Sequence, residues 1–416
     1  MPHIAVIGAG ITGTTTAYAL LKRGYTVSIF EKHPYAAMET SFANGGQLSA
    51  SNAEVWNNIP TIFKGLKWML KPDSPLYIKP QPSLPFVRFL LQTAAKCNAN
   101  DYRAGLRANI GFFADSMQWF DEYQRDGIRF EMYSQGLLMA FLGEEKYEHH
   151  AHDLDIVEAA GLEPRRLKGD ALREQEPALS DNVKAGIYYP FERGIRSETI
   201  TPALVARARQ MGVEFKENTP FEGVVKAGDH ITAVKTPDGR ILCDAVVVAA
   251  GVWSARVAKQ FGVTLPIQPG KGYSIEYANP PVQLRQAISF TERKCVGTPL
   301  GSALRLAGTM EFSGFNPNVN AVRVDAIRKA PSSFLSNWDA PEPSDEPWAG
   351  FRPMTPDSLS IVGKLGTFDN AYVASGHGMY GVTLAPATAT AVVEMVETRR
   401  VPERLAPFSP NRFSFR

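Results

Sequence analysis

The stretch "HIAVIGAGITGTTTAYALLKRGYTVSIFEK" constrains the fold more than any other part of the chain. An apolar run from His3 to Ile7 leads into Gly8, Gly10 and Gly13 with the spacing G-x-G-x-x-G, then an amphipathic run and a second apolar run ending at Glu31. Short apolar runs beside glycine turns read as buried strands, and the helical period between them completes a βαβ unit. Glycines at those positions let backbone N–H groups and the helix N-terminus approach a pyrophosphate. Ala9, Ile11 and Thr12 share this turn, and Lys32 follows the acid, so all are expected against a dinucleotide. Glu31 ends the second strand, where a carboxylate accepts hydrogen bonds from a ribose diol and disfavours a 2′-phosphate. The unit by itself does not separate FAD from NAD.

A chain of 416 residues with 44% hydrophobic content supports two packed domains. A net charge of +2 leaves no global footprint for a polyanion, so nucleic acid is not expected as a partner. Cys97, Cys243 and Cys295 are far apart and odd in number, which fits free thiols in a reducing compartment. With the first strand opening at His3 and no long apolar run, the expected location is cytoplasmic, with docking on the cytoplasmic face of a membrane as a further expectation.

The order of elements predicts an α/β protein: a discontinuous Rossmann-like nucleotide-binding domain with an inserted α+β substrate domain built on an antiparallel sheet. The expected boundaries are 1–80, 176–262 and 350–416 for the first, and 81–175 and 263–349 for the second. Helical periods cover Leu84 to Ala95, Tyr102 to Asp126, Glu144 to Ala160 and Asn320 to Ala330. "AVVVAAG", containing Ala250 and Gly251, reads as a core strand running into a turn.

Three further segments carry a family resemblance. "ETSFANGGQLS" is similar to the segment that runs past the flavin in FAD-dependent amine oxidoreductases of the D-amino acid oxidase and glycine oxidase superfamily. "GFRPMTPDSLSIVG" resembles their G-L-R-P-x-T-P-D-G-x-P-x-I-G, and "ASGHGMYGVTLAP" their G-H-x-x-x-G-x-x-x-A-P turn. Within the superfamily the D-amino acid dehydrogenases are most alike, over nearly the whole chain. Ser358 stands where the family pattern has glycine, which puts the local turn type in question.

The resemblance implies non-covalent FAD, since no cysteine adjoins the final motif. It implies that Ser41, Ala43, Asn44, Gly45, Gly46 and Gln47 pack against isoalloxazine and pyrophosphate, that Val224 or Val225 touches adenine, and that Ala250 and Gly251 join the cofactor site. Gly376, Gly378, Met379, Tyr380, Gly381, Val382 and Thr383 would bring a helix N-terminus to the flavin. His377 is expected to orient that turn. Arg352 would clamp a substrate carboxylate with two parallel hydrogen bonds, and Tyr273 is a second pocket candidate, although an aromatic residue at a strand start is often core.

The implied reaction is oxidation of a small D-amino acid or cyclic imino acid (D-alanine, D-proline or D-hydroxyproline type), with hydride passing from Cα to flavin. An imine or oxo acid results, and electrons pass to a quinone or an electron-transfer protein. Other readings are an oxygen-using D-amino acid, glycine or sarcosine oxidase, a non-catalytic flavin subunit of a hetero-oligomer, and a plain NAD-binding module. "YEHHAHDLD", with His149, His150 and His152, reads as a solvated helix face, and no metal site is expected. From Trp56 to Thr93, five Lys or Arg against one Asp mix with aromatics, a composition suited to an anionic bilayer.

Overall fold

The computed structural model describes residues 1–49, 74–113 and 116–413. His3–Ile7 lies inside a six-stranded sheet ordered Glu214–Lys216, Thr26–Phe30, His3–Ile7, Ala245–Val248, Ala371–Ser375, Ile361–Lys364, parallel except for the last strand. Alternation along the first strand explains how the sheet is covered on both faces. Ile4 and Val6 face Ala17 and Leu20 of the helix Ile11–Lys22 and Val392 and Met395 of the helix Gly381–Thr398. Ala5 and Ile7 face Ile231 and Val234 of an antiparallel meander, Gly223–Ala227, His230–Thr236 and Gly239–Leu242. Each such fully buried aliphatic side chain contributes roughly 1.5–3 kcal/mol.

The second layer is a nine-stranded, mostly antiparallel sheet. Its main path runs Trp348–Met354, Gln268–Tyr277, Ala303–Phe312, Cys295–Leu300, Ala287–Phe290, Leu137–Phe141, Ala185–Tyr189, Arg165–Lys168, with Leu76–Ile78 alongside Ala303–Phe312. Its outer face buries Ile275, Tyr277 and Leu306 with Ile327 and Phe334.

Three of the expected domain boundaries need correction. Ala185–Tyr189 falls within 176–262, yet it pairs with Leu137–Phe141 in the nine-stranded sheet. Trp348–Met354, placed mostly with the nucleotide-binding part, is an edge strand of the same sheet through its pairing with Gln268–Tyr277. The helices Ala99–Phe113 and Ser116–Arg125, expected in the substrate domain, lie against the nucleotide-binding part, with Phe112 on Phe408 and Phe113 on Tyr380 at ring-centroid distances of 4.6 Å and 5.3 Å. The physical reason is common to all three: periodicity defines an element, but its partner is fixed by contacts distant in sequence.

Ser358 answers the question raised by its missing glycine. Its φ is +64°, so the turn keeps the left-handed conformation and serine adopts it. Asp357 supports the turn, accepting from the Leu359 N–H at 3.2 Å and from the Arg412 guanidinium at 2.7 and 3.0 Å. Residues 56–73 of the basic and aromatic stretch lie outside the described residues. Its described end, Leu84–Ala95, is helical and buries Phe86 and Phe89.

Candidate active site

A cavity of about 1330 Å³ is lined by residues of both large sheets. That exceeds the roughly 300–1,000 Å³ of a drug-sized ligand site, leaving room for a dinucleotide and a small substrate together. Its nucleotide end is built from the glycine turn. Gly8 has φ +105°, and a Cβ there would meet the Ala249 carbonyl oxygen at 2.8 Å. A side chain on Gly13 would fall onto the Gly8 carbonyl. Gly10, Ile11 and Thr12 line the cavity, while Ala9 and Gly13 shape the turn behind it. Ala9 N–H donates to Glu31 Oε2 at 2.9 Å and His33 N–H to Oε1 at 3.0 Å, which fixes the acid at the strand end. Lys32 lies 3.8 Å over the Trp253 ring and bonds Glu39 at 2.8 Å.

The loop after the second strand is held by its carbonyls. Oxygens of five consecutive residues are tied off: Phe42 by Ser197 Oγ, Ala43 by Ser274 Oγ, Asn44 by the Arg305 guanidinium, Gly45 by Thr298 Oγ1 and Gly46 by Ile195 N–H, at 2.6, 2.6, 3.3, 2.7 and 2.8 Å. Each hydroxyl comes from an element distant in sequence, so the loop is preorganised by the rest of the protein. Ser41 Oγ accepts from Ile11 N–H at 3.0 Å, joining this loop to the glycine turn. Gln47 Nε2 is buried at the cavity wall with no hydrogen-bond partner among the described residues. An amide donor left in that state fits a cofactor acceptor, as do the N-termini of Ile11–Lys22 and Gly381–Thr398, whose N-cap residues Gly10 and Tyr380 make no side-chain capping bond.

At the other end, Gly376 and Gly378 have φ of +71° and +54° and turn the chain from Ala371–Ser375 into Gly381–Thr398. Gly378, Met379, Tyr380, Gly381 and Val382 line the cavity. Gly376 packs behind the turn, and Thr383 Oγ1 accepts from Ser49 N–H at 3.1 Å. Gly378 N–H donates to Pro353 O at 3.1 Å, coupling this turn to the strand that carries Arg352.

Arg352 lines the cavity and is partly buried. Its guanidinium lies over Gly272 of the neighbouring strand, where any Cβ would collide with it. Nη1 donates to Thr309 O at 2.6 Å, and among the described residues no carboxylate pairs with it. Removal from water pushes its pKa down to about 10, so it remains a cation at neutral pH. Thr309 is presented by a bulge: Lys271 pairs with Glu311 and Tyr273 with Gly308, so Ala303–Phe312 carries one extra residue there. Thr309 has φ +64°, an uncommon conformation for a β-branched residue and one that marks stored strain beside this site.

The other two residues expected in the pocket have different surroundings. Tyr273 borders the cavity, but its ring joins the outer core with Ile275 and Tyr277 and its hydroxyl donates to Glu311 Oε2 at 2.6 Å. Strand alternation explains this: Gly272 and Ser274 face inward, so the residue between them faces out. His377 is buried with Nε2 3.0 Å from Thr388 Oγ1, and burial pushes its pKa down to about 4. It stays neutral and positions the turn. Unfolded histidine titrates near 6.5, so the unfolded chain binds the extra proton between about pH 6.5 and pH 4 and stability falls as pH drops through that window. His377→Gln is expected to flatten the thermal-melting profile over this range by on the order of 3 kcal/mol. An unchanged acid limb would rule out His377 as its source.

Val224 and Val225 lie on the meander strand and do not line the cavity, whose wall at that point is Pro220 and Phe221. Ala250 and Gly251 do line it, and so does Trp253 just beyond them. His149 and His150 border the cavity beside Glu145 and Lys146, instead of forming a wholly solvated face. Cys295 also borders it, and burial holds its thiol up at about 12, which keeps it protonated and unreactive. Trp253 followed a motif already assigned and could have been found by extending it. Thr309 carried no local signal.

Residues 3–395 match the family model described as FAD dependent oxidoreductase. "D-amino acid dehydrogenase 3" of Mesorhizobium japonicum is 36% identical over 419 residues, spanning 96% of this chain and 98% of that protein. The D-amino acid dehydrogenase of Dechloromonas aromatica is 31% identical, spanning 98% and 99%. Among solved structures, glycine oxidase from Bacillus cereus superposes with a TM-score of 0.76 at 22% identity over 100% of both chains. L-proline dehydrogenase from P. horikoshii gives 0.76 at 19% identity over 99% of this chain and 97% of that one.

Proposed function

Because this chain belongs to the family of FAD-dependent oxidoreductases, we propose that it oxidises a D-amino acid or cyclic imino acid as a dehydrogenase. The observation that carries the reading is Arg352: a cation without a carboxylate partner among the described residues, in the wall of a cavity that the glycine turn also lines. FAD, when bound, supplies the hydride acceptor. The glycine turn at Gly8–Gly13, Glu31, the Asn44–Gln47 loop and the Gly376–Gly381 turn would hold it. Arg352 then receives the α-carboxylate in two parallel hydrogen bonds, and Thr309 O and Gly272 fix the direction of the fork. With His377 neutral and inward, the described residues supply no histidinium at this turn, and the substrate amine loses its proton to solvent before it reacts. Flavin reduction is therefore expected to accelerate as pH rises.

A quinone or an electron-transfer protein is the proposed acceptor, reached from a membrane surface. What supports a membrane contact is the helix Leu84–Ala95, which turns Leu84, Val87 and Leu91 outward, Leu84 at 80% exposure. Among the described residues no helix is long and apolar enough to cross a bilayer.

The test is anaerobic bleaching of the bound flavin by a panel of D-, L- and N-methyl amino acids, followed by air. D-amino acids should bleach it and air should restore the colour slowly. Bleaching by L-amino acids alone removes the stereochemical assignment, and rapid reoxidation makes the protein an oxidase.

A further inference from the structure

Both acceptors of the Arg352 guanidinium among the described residues, Thr309 O and the Met310 sulfur, lie in one bulge, as does Gly272, over which it sits. Those three residues are the ones enclosed between the pairs Lys271–Glu311 and Tyr273–Gly308. Regular pairing onward from Lys271 and Glu311 would set Tyr273 opposite Thr309. The observed pairing leaves Thr309 outside the ladder, and its carbonyl is free to hold the arginine. The left-handed φ of Thr309 is a standing cost against that arrangement, so the register must be held by other contacts.

A buried clamp spans the bulge. Lys271 and Tyr273 flank Gly272 on the opposite face of the strand, and both donate to the carboxylate of Glu311, Lys271 Nζ to Oε1 at 3.0 Å and the Tyr273 hydroxyl to Oε2 at 2.6 Å. One residue on each side of Gly272 is thereby tied to the same group on the longer strand. Lys271 Nζ also donates to Asn316 O and Asn318 O at 3.0 and 2.8 Å, which completes its three donors, and Ser313 Oγ donates to Glu311 Oε1 at 2.6 Å. The Lys271 and Glu311 side chains are only 1% and 4% exposed. Burial would raise the Glu311 carboxyl, but the bonds from Ser313, Tyr273 and Lys271 outweigh it and hold the group below its ordinary value, so it stays ionised at neutral pH. An ion pair taken out of water gains little stability over a well-packed apolar pair, and its best-attested use is to fix registry.

We propose that Glu311, gripped by Lys271 and Tyr273, is a positioning residue that holds the bulge in register and so keeps the Arg352 fork aimed at the substrate carboxylate. The inference rests on the reading that Arg352 takes the α-carboxylate. Tyr273→Phe removes one arm of the clamp and leaves the ring in its core. In anaerobic flavin reduction by the best D-amino acid of the panel above, the Tyr273→Phe holoenzyme should keep its FAD and lose about tenfold in kcat/KM, with the loss falling on KM. In an Arg352→Ala background the same change should make less than about a twofold further difference, because no fork is left to aim. A Tyr273→Phe enzyme within about twofold of wild type overturns the inference. So does a loss of equal size with Arg352 absent, which is the mark of a general structural defect. Glu311→Gln should show the same non-additive loss; if it fails to fold, Tyr273→Phe decides alone. Additive losses defeat this inference and leave the parent reading standing, whereas full activity in Arg352→Ala, or no reduction by any D-amino acid, defeats the parent reading itself.

Discussion

Arg352→Ala is expected to purify yellow, with FAD retained, and to lose about 2–5 kcal/mol of transition-state binding, roughly 30- to several-thousand-fold in kcat/KM. The reasoning is that the arginine touches neither the glycine turn nor the Asn44–Gln47 loop. Its contacts among the described residues are Thr309 O, the Met310 sulfur and the face of Gly272. Removing it therefore leaves the cofactor cradle intact while a substrate carboxylate enters an apolar wall without a partner. Arg352→Lys should recover part of the loss only, because an ammonium lacks the planar fork and cannot occupy both carboxylate oxygens in parallel. A variant that keeps kcat/KM within about threefold of wild type would remove Arg352 from the site. Loss of FAD would make the motif structural.

Much of this site is legible in sequence where a function imposes a local pattern. The glycines at 8, 10 and 13 and the acid at 31 must occupy fixed places along one βαβ unit, and they do. Arg352 was visible through its motif, since proline and a turn on one side and a strand on the other leave a recognisable string. What stayed hidden depends on pairing between distant segments. The bulge that aims the Thr309 carbonyl exists only because Gln268–Tyr277 and Ala303–Phe312 pair with one residue to spare. No period or composition in either strand announces that.

Tyr273 and His377 show the opposite limit. Each sits beside a functional residue in sequence, and each has a side chain that chemistry could use. The strand period sends the Tyr273 ring to the outer core, and the helix Gly381–Thr398 takes His377 through Thr388. Nearness in sequence placed both at the site, and backbone direction assigned them to its support.

Arg305→Ala should be the most disruptive change away from the substrate. Arg305 is 3% exposed and holds two carboxylates at once, Glu276 at 2.5 and 3.0 Å and Glu198 at 2.5 and 3.0 Å, with a further bond to Asn44 O. Burial alone would raise the Glu198 carboxyl, but the Arg305 guanidinium overrides it and holds the group down at about 2. Without Arg305 the two acids face each other with only Arg196 to bridge them, at 2.9 and 3.1 Å. Breaking a buried pair from one side costs about 3–5 kcal/mol, because the remaining charges are left uncompensated. Stability measured by denaturant should fall by that amount at neutral pH. Glu198 is depressed in the folded state, so its contribution is present above about pH 4.5 and is lost as pH falls toward 2; the variant should lack this acid-dependent loss. The same arginine is one of five ties on the carbonyls of the loop from Phe42 to Gly46, so FAD should also dissociate faster from the variant. Arg196→Ala is the control, since Arg196 makes the outer bridge and does not touch the loop from Phe42 to Gly46. If both variants lose stability equally and retain FAD equally, the cluster acts as a general brace and Arg305 has no special hold on the cofactor loop.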